Sequence, residues 1–438
     1  MIVVKSKRQI WLSALGIAGL VGMVTAAIIV YEPAIPPVAR PSPSSFEVAE
    51  VKRGAELASI GDCVVCHSTD GGRPFAGSKA LPTPFGTLYS DNITPDETTG
   101  IGNWSFAAFQ RAMTRGVARD GSHLYPALPY EHFTHVDDAD LQAIYAFLMT
   151  REPVKEVQPP NDLLPGLGFR PLLAGWKFLF LRKTAFVQDK TQNNEWNRGK
   201  YLVEGLGHCG GCHTPRNLLG AEEHGSDLAG GVAEGWIAPA LDASNPSASR
   251  WDQASLFDYL KNGIAGAHSA AGGPMGPVAE GLSEVDDADV RAISTYIASR
   301  MKPAATPSAK TNANPAKAEG TTASKAATRT PASDAAKLFA GACGGCHMSG
   351  APMETAGRPP LSVVSDLKMD DPRNAIKVVL GGITPAAGHG PYMPGFADAL
   401  TDQQIADLLA YARSRFTDAP TWPDLAAKVS VIRKEDAK

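Results

Sequence analysis

Cys209-Gly210-Gly211-Cys212-His213 is one of three Cys-x-x-Cys-His stretches in this chain, with Cys63-Val64-Val65-Cys66-His67 before it and Cys343-Gly344-Gly345-Cys346-His347 after it. Together they use all six cysteines of the 438 residues. Positions i, i+3 and i+4 of a helix share one face, so each stretch can present two thiols and an imidazole to one flat ligand. That is the attachment pattern of a c-type heme: two thioethers to the vinyl groups and a histidine to the iron. A zinc site takes four ligands, usually from two clusters. A dithiol redox site needs one pair in a thioredoxin-like setting. Three separate copies with no spare cysteine fit neither. The expectation is three covalent heme c groups on Cys63, Cys66, Cys209, Cys212, Cys343 and Cys346, with His67, His213 and His347 as proximal iron ligands.

The length suits about three domains, one per motif. Composition is that of a globular protein, 44% hydrophobic and 20% charged. A net charge of −4 excludes a strongly basic nucleic-acid binder, so no nucleic-acid partner is expected. Covalent heme supplies apolar interior that a small domain otherwise struggles to build.

At the amino terminus Lys5, Lys7 and Arg8 precede an uncharged run from Ile10 to Tyr31. The run is long enough to cross a bilayer core of ~30 Å as a helix. A secretory signal has a shorter apolar stretch and then a cleavage site. Val24-Thr25-Ala26 is a weak candidate for one, and the run continues past it. The expectation is a retained transmembrane anchor over 10–31 behind a cytoplasmic basic flank, 1–9, with the rest of the chain on the far side of the inner membrane. In a bacterium that side is the periplasm, where heme is attached to such motifs. Residues 32–45 are proline-rich and read as a stiff spacer.

The chain repeats itself around its motifs. Arg53-Gly54, Arg198-Gly199-Lys200-Tyr201-Leu202 and Ala335-Ala336-Lys337-Leu338-Phe339 each open a helical stretch that ends in a Cys-x-x-Cys-His. Each repeat closes on an amphipathic helix. Asp137 to Asp140 cap one with Leu141, Ile144, Tyr145 and Leu148 on a face. Asp286 to Asp289 lead into Val290, Ile293, Tyr296 and Ile297. Thr401-Asp402-Gln403-Gln404 has capping-box spacing before Ile405, Leu408, Leu409 and Ala412. A helix before the heme packed on one after it resembles the class I cytochrome c fold. The reading is mainly α, with three tandem domains over 46–152, 196–301 and 333–418. Residues 302–332, rich in Ala, Thr, Lys and Pro, read as a flexible tether. The linker 153–195 holds an apolar run, Leu172 to Leu181, broken only by Lys177 and too short to span a bilayer. It either packs between domains or touches lipid or a partner. The tail, 419–438, is read as loose or wrapped on a partner.

The sixth iron ligand sets potential and reactivity. Met393, in Tyr392-Met393-Pro394-Gly395-Phe396, precedes the last helix of the third repeat and is its expected distal ligand. Met275, in Gly273-Pro274-Met275-Gly276-Pro277, takes that place in the second. The corresponding loop of the first, Leu124 to Tyr130, has no methionine, and Met113 and Met149 read as packing. His123, His132 and His135 surround that loop. Either one of them ligates, giving a bis-His heme of lower potential, or all three are structural and the heme is five-coordinate.

These residues resemble the membrane-bound three-heme cytochrome c subunits of bacterial periplasmic dehydrogenases for alcohols, aldehydes and sugar derivatives. Tyr89 to Asp96 and Asp120 to Ala127 match in the first repeat. Gly205 to Asn217 and Trp236 to Pro239 match in the second. The third repeat matches only generically. In the quinohemoprotein alcohol dehydrogenase subunits a methionine stands where this chain has Leu128. The bulky apolar residue there, followed by Glu131-His132-Phe133, is similar to cytochromes that accompany molybdopterin-dependent aldehyde dehydrogenases. That branch implies His132 as the distal ligand of the first heme, and it implies a catalytic dehydrogenase subunit, a small iron–sulfur subunit and ubiquinone as partners. The resemblance implies electron transfer with no substrate turnover by this chain. Three alternatives stay open: a quinoprotein alcohol dehydrogenase or flavin sugar dehydrogenase as partner, a stand-alone membrane carrier, or a heme enzyme at a five-coordinate first heme.

Overall fold

A computed structural model describes residues 30–245, 247–248, 251–266, 268–302, 333–348, 350, 358–385 and 392–436. The chain folds as two compact units. One reaches Gln188 and takes in Glu204–His208; the other comprises Asp189–Val203 and Cys209 onward.

In the first unit α1 (Val48–Ile60) runs to the heme-binding turn α2 (Cys63–Cys66), and a hairpin of β1 (Ala80–Thr83) and β2 (Gly86–Tyr89) follows. Then come α3 (Phe106–Arg115), the single turn α4 (Tyr130–Phe133), α5 (Asp138–Met149), β3 (Asp162–Leu163) and α6 (Leu172–Phe180). β3 joins the hairpin antiparallel beside β2. The Asp137 carboxylate caps α5 by accepting from the Asp140 amide at 2.8 Å, which satisfies one of the orphan donors of the first turn. The stripe of Leu141, Ile144, Tyr145 and Leu148 is buried.

α1 and α5 pack across each other at Gly54. A Cβ there would run into the Ala143 carbonyl and the Phe147 side chain. Only glycine permits an approach this close. The neighbouring Arg53 reaches Asp140 at 3.7 Å.

The second unit repeats this plan. α7 (Asn194–Tyr201) leads through a wide turn kinked at Gly205 to α8 (Gly210–His213). β4 (Gly231–Ala233) and β5 (Trp236–Ala238) form a hairpin. α9 (Gln253–Asn262), the short pair β6 (Ile264–Ala265) and β7 (Ser269–Ala270), α10 (Met275–Ser283) and α11 (Asp287–Met301) complete the repeat. Gly199 meets the Ala292 carbonyl and Tyr296 as Gly54 meets its partners. Arg198 grips Asp289 with two bonds of 2.9 and 3.0 Å.

The third repeat lies in the same unit. It runs through α12 (Asp334–Ala342), α13 (Gly344–His347), α14 (Arg373–Gly381), α15 (Asp402–Phe416) and α16 (Leu425–Asp436). Thr401 and Gln404 form the capping box of α15. Asn374 ties this repeat to the second by accepting from the Ile237 amide at 2.9 Å and donating to the Ile237 carbonyl at 2.8 Å.

One sequence expectation changes and a second gains detail. The tail is not loose: it packs on the third repeat, with Trp422, Leu425, Val429 and Ile432 buried in that repeat's core. Arg413 lies 4.0 Å over the Trp422 ring and donates to the carbonyls of Pro420, Leu367 and Met369. The proline-rich stretch, expected to be a stiff spacer, lies against folded chain. It is strapped along the first repeat by Ile35 N to Arg119 O, by Val38 N to Asn103 O and by Arg111 to the Pro33 carbonyl. The anchor expected over 10–31 falls outside the described residues except at Val30 and Tyr31, and the tether falls outside except at Lys302. Among the described residues no helix is long and apolar enough to cross a membrane.

Candidate heme sites

Each Cys-x-x-Cys-His is one helical turn, closed by the histidine amide donating to the first cysteine's carbonyl. The distances are 3.0 Å for His67 to Cys63, 2.9 Å for His213 to Cys209 and 2.9 Å for His347 to Cys343. That turn sets both thiols and the imidazole on one face. Burial and the neighbouring Cys66 push the Cys63 thiol up to about 12. Burial and Cys346 push Cys343 up to about 11. Two thiols and an imidazole on one face are the residue set that c-type heme attachment uses.

The imidazoles are braced. His67 Nδ1 donates to the Asp91 carbonyl at 2.6 Å, and His213 Nδ1 donates to the Pro239 carbonyl at 2.6 Å. Fixing the proton on Nδ1 leaves the Nε2 lone pair for a metal, the usual arrangement behind a ligating histidine. Desolvation lowers both histidines' pKa, against the carbonyl bond that raises it. His347 is lowered by burial and then by Arg358.

The bracing carbonyls are held in turn. The Asn92 amide donates to the Val154 carbonyl at 2.7 Å and its oxygen accepts from the Thr94 amide at 2.9 Å. Asp96 accepts from Thr98 and Thr99. This knot fixes the strand end that carries the Asp91 carbonyl. In the second repeat Pro239 follows β5. Gly231 lets the hairpin lie against the heme turn, since a Cβ there would meet the Cys212 and Thr214 carbonyls. The histidine carbonyl accepts from a glycine in both repeats, Gly77 at 2.8 Å and Gly230 at 2.7 Å. Asp91 and Pro239 were missed as site residues because they act through backbone oxygen. The stretches that hold them, Tyr89 to Asp96 and Trp236 to Pro239, were the signal.

Of the methionines expected as distal ligands, Met275 opens α10 and packs against Ala271 and Ala279. Met393 exchanges backbone bonds of 2.9 and 3.0 Å with Ile383 and packs partly buried on the third core. In the first repeat Met113 and Met149 are core residues. His132 Nδ1 donates to the Glu204 carbonyl at 2.8 Å, the same bracing that His67 and His213 have. His123 is used differently: its Nε2 donates to the Val30 carbonyl at 2.8 Å.

A cytochrome c family model matches residues 51–152, 197–300 and 332–415. The chain is 45% identical over 434 residues to a nicotinate dehydrogenase subunit of Pseudomonas putida, an alignment covering 98% of this chain and 36% of that protein. It thus spans about a third of that relative's length. It is 37% identical to the fructose dehydrogenase cytochrome subunit of Gluconobacter japonicus, over 86% of this chain and 82% of the relative. It is 36% identical to the gluconate 2-dehydrogenase cytochrome c subunit of Pantoea cypripedii, over 89% of this chain and 90% of the relative. With one Cys-x-x-Cys-His turn, and hence one heme c, in each of three matched segments, the chain belongs to the cytochrome c family.

Proposed function

We propose that this chain is the electron-transfer subunit of a membrane-bound dehydrogenase complex. It takes electrons from a catalytic partner and relays them through three heme c groups to ubiquinone or a terminal oxidase. The single observation that carries this is the set of three heme-binding turns in a chain aligned nearly end to end with dehydrogenase cytochrome subunits. When bound, heme c accepts and passes one electron at a time; the protein supplies ligands, spacing and a tuned environment. Here the cysteine pairs would hold the macrocycle, and the Nδ1 bonds of His67 and His213 fix their imidazoles with Nε2 left for the iron.

The finer reading is three class I domains behind an amino-terminal anchor, in the periplasm against the inner membrane. The uncharged run from Ile10 to Tyr31 supports the anchor. The nicotinate dehydrogenase relative supports a dehydrogenase partner, and the resemblance carried by Leu128 and His132 supports a molybdopterin partner with an iron–sulfur subunit. Met275 and Met393 are the proposed distal ligands of the second and third hemes. His132 is that of the first, supported by its carbonyl-braced Nδ1.

Purification of the native complex in mild detergent tests the assignment. A large subunit carrying molybdopterin, whose substrate reduces all three hemes, is expected; a partner-free cytochrome contradicts it. His132→Met tests the ligand. Bis-His ligation gives a lower potential than Met/His, so this change raises the first heme's potential and brings in a near-infrared methionine-to-iron band. An unchanged potential and spectrum reject His132.

A further inference from the structure

α6 is amphipathic in the inverted sense. Its one charged residue, Lys177, is 8% exposed, while Phe178 is 74% and Leu179 65% exposed. Leu172 on the helix, with Leu164 and Phe169 just before it, is also exposed. Lys177 turns inward because it has work there: its ammonium donates to the Arg115 and Gly116 carbonyls at 3.0 and 2.9 Å, at the end of α3. Burial pushes it down to about 8 against the pull of Glu32. The apolar side chains are left facing outward, in a cluster of the kind that marks an interaction surface.

The position of this helix says what covers it. The uncharged run that begins at Ile10 ends at Tyr31, and its last residues are pinned to the first repeat beside α6. His123 holds the Val30 carbonyl at 2.8 Å. Glu32 pairs with Arg115 at 2.9 Å and lies within the field of Lys177 and Lys183. Arg170 precedes the helix, and Arg182 and Lys183 follow it. A short helix with an outward apolar face, aromatic residues and basic flanks is the pattern of an element lying in a bilayer interface.

We propose that α6 is such an interfacial helix, seating Leu172, Phe178 and Leu179, with Phe169, in the headgroup layer of an anionic bilayer beside the point where the amino-terminal apolar segment joins the folded chain. The inference rests on the anchor reading above and adds a second membrane contact to it. That contact orients the first repeat relative to the bilayer instead of leaving it on a swivel.

Because heme attachment occupies every native cysteine, Phe178→Cys offers a single thiol for a nitroxide label on the full, heme-loaded chain. The protein is reconstituted in vesicles of phosphatidylcholine and phosphatidylglycerol. Label exposure to oxygen and to a water-soluble nickel chelate is then compared with that of Leu218→Cys, a 97% exposed site in the other unit. The proposal expects the Phe178 label to be oxygen-rich and chelate-poor, about 5–10 Å below the headgroup surface, with the Leu218 label water-exposed. Repetition at Leu179→Cys should give the same result. If the protein floats with the vesicles but both labels read as water-exposed, the interfacial helix is rejected and the anchor stands. If the protein fails to float at all, the anchor reading fails and takes this inference with it. A Phe178 label shielded only after the catalytic partner is added would assign the face to protein and overturn the proposal.

Discussion

The first two repeats close in one way and the third in another. In the first and second, an Arg-Gly pair on the opening helix does two jobs. The glycine lets the closing helix approach backbone to side chain, at Ala143 and at Ala292, and the arginine pairs with an aspartate in its first turn. The opening helix of the third repeat has no Arg-Gly pair. Phe339 fills the crossing against Tyr411 and Phe416 at ring distances of 5.3 and 5.6 Å, and an added helix, α16, covers the remaining apolar face. The same helical plan is thus closed once by backbone proximity and once by added side-chain volume. The routes differ in what they leave sensitive: the first depends on a missing Cβ, the second on an aromatic residue far along the chain.

The largest expected effect breaks the first route. Gly54→Val and Gly199→Val drive a side chain into a carbonyl, and each should cost about 3 kcal/mol or more, read as loss of thermal stability in the heme-loaded protein. The matched contrast is Gly341→Ala in α12, where a Cβ meets nothing within 4 Å. It should stabilise by about 0.5–1 kcal/mol, since alanine is the better helix former. Equal losses at all three glycines would erase the distinction.

Trp422→Ala breaks the second route. The ring is buried, its Nε1 donates to the Met369 carbonyl at 3.0 Å, and Arg413 stacks on it. A loss of about 3 kcal/mol, confined to the unit that holds the third repeat, is expected from denaturant unfolding. The arginine pairs sharpen the comparison within the first route. Arg198→Ala leaves Asp289, 8% exposed, without its two-bond partner and should cost about 1–3 kcal/mol. Arg53→Ala removes a looser contact and should cost under about 1 kcal/mol.

The smallest effect concerns the clasp of α16. Arg433 donates to Asp402 at 2.7 Å, and that bond holds the Asp402 carboxyl below its usual range. A depressed carboxyl contributes stability above its unfolded pKa, ~3.9, and loses it as pH falls through the folded value. Arg433 also donates to the Ala397 and Leu400 carbonyls, so the half-buried pair is probed from its other side: Asp402→Asn should remove less than about 1 kcal/mol at neutral pH, and its difference from the parent chain should vanish in acid.

The helical stripes were legible because capping residues and apolar periodicity agree. Asp137, Asp286 and Thr401 cap the helices they announced. The heme turns were legible because their chemistry needs fixed spacing. The braces on His67 and His213 were not, since a carbonyl oxygen has no residue identity. α16 was missed because Lys428, Arg433 and Lys434 surround its three buried apolar positions with charge, and sequence charge reads as solvent. On α6 the pattern inverts, with the charge buried under backbone carbonyls and the apolar groups exposed. Periodicity locates such a helix and cannot say which side faces out.

The most direct test of the account is the heme content of the purified full-length protein after denaturation and washing in acidified acetone. Three hemes per chain, retained with the polypeptide and adding three heme masses to it, are predicted. A colourless chain of bare polypeptide mass, or one retaining fewer than three, would contradict it.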